Sequence, residues 1–398
     1  MPEESKSIRL PDTSKLLVSS SPHVRAKGGI PQIMFLVLLA LVPCVLAGTW
    51  IFGPRALWVV FTTTVAAVAV EALCNRIMHD RLSIGDGSAA VTGMILALTL
   101  PPVLPTWVGI LGSAIAIILG KMVYGGLGFN PFNPAMVARC ALLLALPALM
   151  THFTDPTVPK PKEPLEKPAA IVERFTENGG AIVKMQEKAE EPQGGLRQRF
   201  SWTPLDAVSE ATPITYQKQK DIPREADGYV ITTVTPRGLR HHIRRHTCWD
   251  LFIGNYPGCV GETSKLAILI GGLFLLALGI IRWQVPVFYI GTFAIITEIA
   301  HHANPSVYPP ALVASLSGGV FFGAFFMATD MVTTPLTRKG AVVFAIGCGI
   351  INAVIRLWGT YPEGVTFAIL LMNALTPLID RYTAGHPFGF HKKEAVKA

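Results

Sequence analysis

The feature that most constrains this chain is a series of apolar runs, each long enough to cross a bilayer. A helix needs ~20 apolar residues to traverse the hydrocarbon core. Ten runs meet that length, at about 31–52, 56–78, 87–104, 106–125, 132–150, 262–281, 284–301, 309–329, 340–358 and 362–380. Backbone polar groups have no water to bond within lipid, so runs of this length are expected to be helices. Composition agrees: 51% of the 398 residues are hydrophobic and 15% are charged, which is a membrane-protein balance.

The formal net charge of +8 is distributed at the ends of runs, where it sets membrane orientation, and gives no sign of a nucleic-acid partner. Lys6, Arg9, Lys15, Arg25 and Lys27 precede the first run. Arg76, Arg81, Lys121, Arg282, Arg338 and Lys339 follow even-numbered runs, and Arg381, Lys392, Lys393 and Lys397 follow the tenth. Short loops after odd-numbered runs hold few cations, with Arg55 and Arg356 the exceptions. Both termini are therefore expected in the cytoplasm of a cell with an inner membrane, and segment 151–250 on the outer side. Residues 1–29 are polar and lack the early apolar core of a cleavable signal.

The chain divides into a cytoplasmic arm (1–29), a first five-helix half (30–150), an outer polar segment (151–250), a second five-helix half (251–381) and a tail (382–398). The expected fold class is all-α integral membrane. An odd number of helices per half makes the second half run opposite to the first, so any repeat between them is inverted. Small residues in 88–101 and 315–335 suit such a repeat. They suit equally the ordinary use of glycine and proline in membrane helices.

Cys44, Cys74, Cys140, Cys248, Cys259 and Cys348 show no Cys-x-x-Cys pair. Their spacing does not provide an iron–sulfur site from this chain alone. Cys248 and Cys259 both fall on the outer side, where a disulfide is one option and free thiols the commoner outcome. No set of residues has metal-ligand spacing. His241, His242 and His246 lie in a basic cluster, 237–246, that reads first as an interfacial anchor or docking surface.

Within the outer segment, 155–200 is rich in Pro, Lys and Glu, and Tyr229–Val234 is aromatic and β-branched, a strand signal. Between them runs Asp206-Ala207-Val208-Ser209-Glu210-Ala211-Thr212-Pro213. It resembles the Asp-x-x-Ser/Thr-x-Ala-Thr sequence on which flavin mononucleotide (FMN) is esterified through its phosphate to the last threonine. Ser209 and Ala211 are small and leave room for a modifying enzyme. Pro213 keeps Thr212 extended. An ordinary loop is the bland alternative for so short a motif.

Further segments support the motif. Ser21-Pro22-His23-Val24-Arg25 precedes the first run, and 128–134 (GFNPFNP) precedes the fifth. Residues 254–264 (GNYPGCVGETS) enter the sixth, 321–330 (FFGAFFMATD) close the eighth, and 361–364 (YPEG) open the tenth. Together they resemble the RnfD family, the membrane components of Rnf ion-translocating oxidoreductases. More distantly, they are similar to NqrB, a component of the sodium-pumping NADH:quinone oxidoreductase. Two departures stand out: Glu210 replaces the family's usual glycine, and 155–200 is long.

The resemblance implies a fold similar to urea-channel-type inverted five-helix repeats. It implies a complex coupling electron flow between ferredoxin and NAD to movement of Na+ or H+. Thr212 would carry FMN, attached by an FMN transferase, with Asp206, Ser209 and Ala211 completing the motif. A second, non-covalent flavin, riboflavin, is implied in the membrane part, with Asn130 and Asn133 as amide partners. For those two asparagines the plainer reading is a helix cap in a turn. Other implied partners are flavin- and iron–sulfur-containing Rnf subunits, in addition to membrane lipids.

Ionisable residues at membrane depth are costly and are functional candidates by default. Here they are Glu71, Arg139, Glu298 and Asp330. They are read either as an ion or proton path or as structural groups, with Arg139 paired to Glu71. Moving one charge against ~150 mV costs roughly 3.5 kcal/mol, and this chain has no nucleotide-binding glycine fingerprint, so electrons must come from partners. The rival classes are a urea-channel-like solute channel or transporter without redox role, and a structural anchor for peripheral redox proteins.

Overall fold

The computed structural model describes residues 29–78, 84–151, 153–154, 208–209, 229–234, 240–246, 248–305, 308–359 and 364–384. The membrane portion is helical. α1 (Ile30–Phe52) and α2 (Pro54–Ile77) are joined by Gly53 alone, whose φ of 86° caps one helix while Pro54 opens the next. Glycine past a helix end and proline at its start are the residues such a reversal needs. α3 (Ser88–Leu98) and α4 (Thr106–Ile118) follow. α5 (Pro134–Ala145) is capped by Asn133, and α6 (Pro147–Met150) is a single further turn.

Two short antiparallel ladders lie within segment 151–250. β1 (Phe153–Thr154) pairs with β2 (Val208–Ser209), and β3 (Tyr229–Val234) with β4 (Arg240–His246). The strand expected at Tyr229–Val234 is present, and the basic cluster supplies its partner. The chain then re-enters the membrane part through α7 (Cys248–Ile253), α8 (Lys265–Ala277) and α9 (Gln284–Ala303). It continues in α10 (Ala311–Leu316), α11 (Val320–Phe322) with a π turn over Gly323–Met327, α12 (Arg338–Trp358) and α13 (Val365–Thr383).

Among the described residues, four helices are long and apolar enough to cross a membrane: Ile30–Phe52, Pro54–Ile77, Thr106–Tyr124 (α4 with the short helical turn after it) and Arg338–Trp358. Several of the other expected spans are broken. The run 87–104 is helical only to Leu98 and then meets Pro101 and Pro102. The run 132–150 breaks before Pro147. The run 309–329 breaks at Gly318, whose φ is 68°. Proline removes a donor and glycine accepts a left-handed backbone, so each break has a local cause. Non-helical backbone is tolerated in a bilayer only where protein surrounds it. Residues 95–102, 256–265 and 313–320 are accordingly buried almost throughout. The loop 256–264 is bonded to the end of α3: Val260 and Gly261 donate to the carbonyls of Leu100 and Leu98, at 3.1 and 2.8 Å.

One pattern of neighbours occurs twice. In the first half α2 packs on α3 and α4, and α4 on α5; in the second, α9 packs on α10 and α12, and α12 on α13. The halves meet where α1 lies against α8 and α5 against α13. Gly271 permits the first contact, because a Cβ there would strike the Ala40 carbonyl. Small residues that let backbones approach are how membrane helices associate in the absence of a hydrophobic drive.

Candidate functional site

A cavity of about 100 Å³ lies between the halves. α1 and α3 line one side with Met34, Val91 and Ile95. The π turn lines the other with Phe325 and Phe326, followed by Thr329 and Asp330. The glycine-rich loop before α5 closes it with Leu127, Asn130 and Asn133. Gly125, Gly126 and Gly128 hold φ values of 106°, 95° and 95°, which only glycine adopts freely. They turn the chain from the end of α4 back to Asn130.

The two asparagines differ in their commitments. Asn133 Oδ1 accepts from the N–H groups of Ala135 (3.1 Å) and Met136 (3.4 Å), and its Nδ2 donates to the Met327 carbonyl at 3.2 Å. It is a helix cap that also ties α5 to the π turn. Asn130 Nδ2 donates to the Phe132 carbonyl at 3.0 Å, while its buried Oδ1 has no partner among the described residues. An unsatisfied buried acceptor at a cavity wall is a group waiting for a donor. Asp330 accepts from the Val332 N–H at 3.3 Å and the Thr333 hydroxyl at 3.1 Å.

Beside the cavity lies a buried ion pair. Lys121 Nζ is 2.7 Å from Glu71 Oε1, and the residues are 2% and 1% exposed. The ammonium also donates to Ser88 Oγ at 2.5 Å. Deeper in, Arg139 pairs with the Glu262 carboxylate, and its Nη2 donates to Cys259 Sγ at 3.8 Å. Lys265 donates to the Tyr256 hydroxyl (2.6 Å), to the Gly318 carbonyl (2.8 Å) and to the Glu262 carbonyl. The Glu262 carboxylate packs on Gly319, where a Cβ would come within 2.8 Å of it. Arg139, Lys265 and the Glu262 carboxylate thus meet at the broken backbone of the second half.

These pairings correct the sequence-based expectation. Arg139 does not pair with Glu71: Glu262 takes Arg139, and Lys121 takes Glu71. Lys121 looks in sequence like an orienting cation at a span end. Its Nζ instead turns inward, because a buried carboxylate lies 50 residues earlier in the chain. Glu262, Lys265 and Arg356 lie at the margins of apolar runs, where a charge is ordinary. Arg356 is buried, donates to the Ser317 carbonyl at 2.6 Å and stacks 5.2 Å from the Phe293 ring. The adjacent charges of 262–265, after a glycine-rich turn, were the one sequence clue.

Glu298 stands apart from the cavity. Its side chain is 43% exposed, it accepts the Ala311 N–H at 2.8 Å, and it lies 3.4 Å from His302 Nε2. None of the six cysteines is in a disulfide, Cys248 and Cys259 included. Of the flavin-type motif, Ser209 lies in β2 opposite Phe153. Asp206, Ala211 and Thr212 lie outside the described residues.

Sequence comparison with known proteins finds relatives along nearly the whole chain. The D component of an ion-translocating oxidoreductase complex from Halorhodospira halophila is 37% identical over 374 residues, 93% of this chain and 94% of the relative. The D component of a Na(+)-translocating ferredoxin:NAD(+) oxidoreductase complex from Acetobacterium woodii is 37% identical over 387 residues, 96% and 98% of the two chains. Its proton-translocating counterpart from Clostridium ljungdahlii is 36% identical over 372 residues, 94% and 96%. With residues 17–389 matching the family's sequence profile, this chain belongs to the NQR2, RnfD, RnfE family.

Proposed function

We propose that this chain is the membrane subunit of a redox-driven ion-translocating oxidoreductase and relays electrons through FMN esterified to Thr212. Family membership supports the activity, since relatives are named for Na+- or proton-translocating ferredoxin:NAD+ oxidoreductases. The observation that carries the flavin reading is the motif Asp206–Thr212 itself, and the β1–β2 ladder gives it a fixed neighbour. The ladder joins Ser209 to Phe153, three residues past α6, and so links the motif to the end of the fifth apolar run. When bound, FMN supplies one- and two-electron chemistry, and this chain supplies position.

The membrane part reads as ten spans in two inverted five-helix repeats, several of them discontinuous, with the termini cytoplasmic and Thr212 outside. The recurring neighbour pattern of the two halves supports this. Binding sites in such folds lie at the repeat interface and beside broken helices, where the cavity is found. Asn130 Oδ1 would accept from a ring N–H of riboflavin there. A cavity of about 100 Å³ is smaller than the ~300 Å³ of a typical ligand site, so it would take an edge of the ring system.

A solute channel is disfavoured by the centre of the molecule, where Arg139, Glu262 and Lys265 are buried among protein groups. A denaturing gel of the chain, co-expressed with an FMN transferase, is expected to show a fluorescent band that Thr212→Ala abolishes. The corresponding mass increase belongs on a peptide spanning 203–217. A dark wild-type band and an unmodified peptide would overturn the assignment.

A further inference from the structure

Four polar side chains connect the solvent-facing end of α3 to the cavity. Asp86 is half-buried in the turn before α3 and neighbours the exposed Gly85. The adjoining Gly87 packs on Met34 near the start of α1, so this turn lies on the face from which α1 begins. Asp86 Oδ1 accepts the Ser88 N–H at 2.8 Å and the Ser88 hydroxyl at 2.6 Å. Ser88 Oγ accepts from Lys121 Nζ, which is also held by Glu71. Ser88 and Lys121 both line the cavity. Each side-chain donor–acceptor step is 2.5–2.7 Å, with no gap.

A static ion pair would need only Glu71 and Lys121. Ser88 is placed to do more, because its hydroxyl accepts from an ammonium and donates to a carboxylate at the rim. We propose that Asp86, Ser88, Lys121 and Glu71 form a proton relay between the solvent at the α1 face and the cavity. The proposal rests on the redox reading above, in which a group bound at the cavity exchanges protons as it is reduced and reoxidised by partner subunits.

In one step, a Lys121 N–H proton passes to Ser88 Oγ while the Ser88 hydroxyl proton passes to Asp86 Oδ1. One N–H and one O–H bond break and two O–H bonds form. Lys121 is left as the amine and Asp86 as the acid, with the Ser88 hydroxyl regenerated. Asp86 then releases its proton to water, and Lys121 takes one from the cavity side. Rotation of the Ser88 hydroxyl back toward Asp86 resets the relay for the next outward transfer, and the same step run backwards carries a proton inward. Glu71 is a positioning residue that keeps Nζ aimed at Ser88. Among the described residues, the other titratable groups around the relay are Cys74, one turn beyond Glu71 in α2, and Asp330 across the cavity.

The test is ferredoxin-dependent NAD+ reduction by the complete complex purified from membranes, measured across pH in H2O and D2O. Ser88→Ala removes the middle of the relay and leaves the ion pair intact. It is expected to lower turnover about tenfold or more and to raise the solvent isotope effect, with Ser88→Thr restoring most of the rate. Asp86→Asn keeps an acceptor for the Ser88 N–H but cannot hold a proton. It is expected to lower turnover as Ser88→Ala does, with a pH profile that departs from that of the wild type. Wild-type rates, pH profile and isotope effect in both variants would overturn the relay alone. So would a slower enzyme whose pH profile and isotope effect are unchanged, which is what a merely structural role predicts. A wild-type complex with no ferredoxin:NAD+ turnover would overturn the proposed function and the relay with it.

Discussion

At the scale of single residues, the strongest constraints are the charges buried inside the bundle. Removing one partner from a buried pair leaves the other uncompensated, at a cost of about 3–5 kcal/mol, whereas replacing both by apolar groups is often tolerated. Glu262→Gln abandons Arg139 and is expected to lower the thermal midpoint in detergent sharply. An Arg139→Met, Glu262→Met double variant is expected to recover most of the loss. A double variant as unstable as the single one would show that the carboxylate acts through other contacts. Sequence exposed these charges unevenly. Glu71 and Arg139 were legible as ionisable groups in apolar runs, but their partners were not. Lys121 lies 50 residues from Glu71 and Glu262 lies 123 from Arg139, and local pattern says nothing about contacts so distant. Asn133 was legible as a cap because Asn-Pro before an apolar run is a helix start. The free Oδ1 of Asn130 becomes visible only in three dimensions.

At the scale of elements, what matters is where the helices stop. Hydropathy reports how long a segment stays apolar, not whether its backbone stays helical, so 87–104, 132–150 and 309–329 read as single spans. Pro101, Pro147 and Gly318 marked the breaks, but proline and glycine are common enough in membrane helices to be passed over. Gly318 sits at φ 68° and offers its carbonyl to Lys265. Gly318→Ala is expected to cost about 1–2 kcal/mol in backbone strain, read as a lower unfolding midpoint. It is also expected to loosen the Lys265 contact, read as faster hydrogen exchange over 317–323. A variant with unchanged stability would mean that the break does not depend on its left-handed residue. The strand at Tyr229–Val234 was legible because period and composition agree there, while its partner β4 read only as a basic cluster.

At the scale of the whole molecule, the charge pattern makes a directional prediction. Cys248 is exposed at the start of the second half, and Gly85 is exposed on the face where α1 begins. A membrane-impermeant maleimide added to intact cells is expected to label Cys248. A thiol introduced as Gly85→Cys, in a Cys248→Ser background, is expected to react only after the membrane is opened. Labelling of both from one side would invert or dissolve the proposed orientation. The β1–β2 ladder, finally, sets the reach of the motif beside it. Ser209 is fastened next to the fifth run, and three residues of chain span at most roughly 10 Å. If Thr212 carries its flavin as proposed, the isoalloxazine swings on a short leash. A donor or acceptor at the outer face must therefore bring its own redox centre to that small patch of surface.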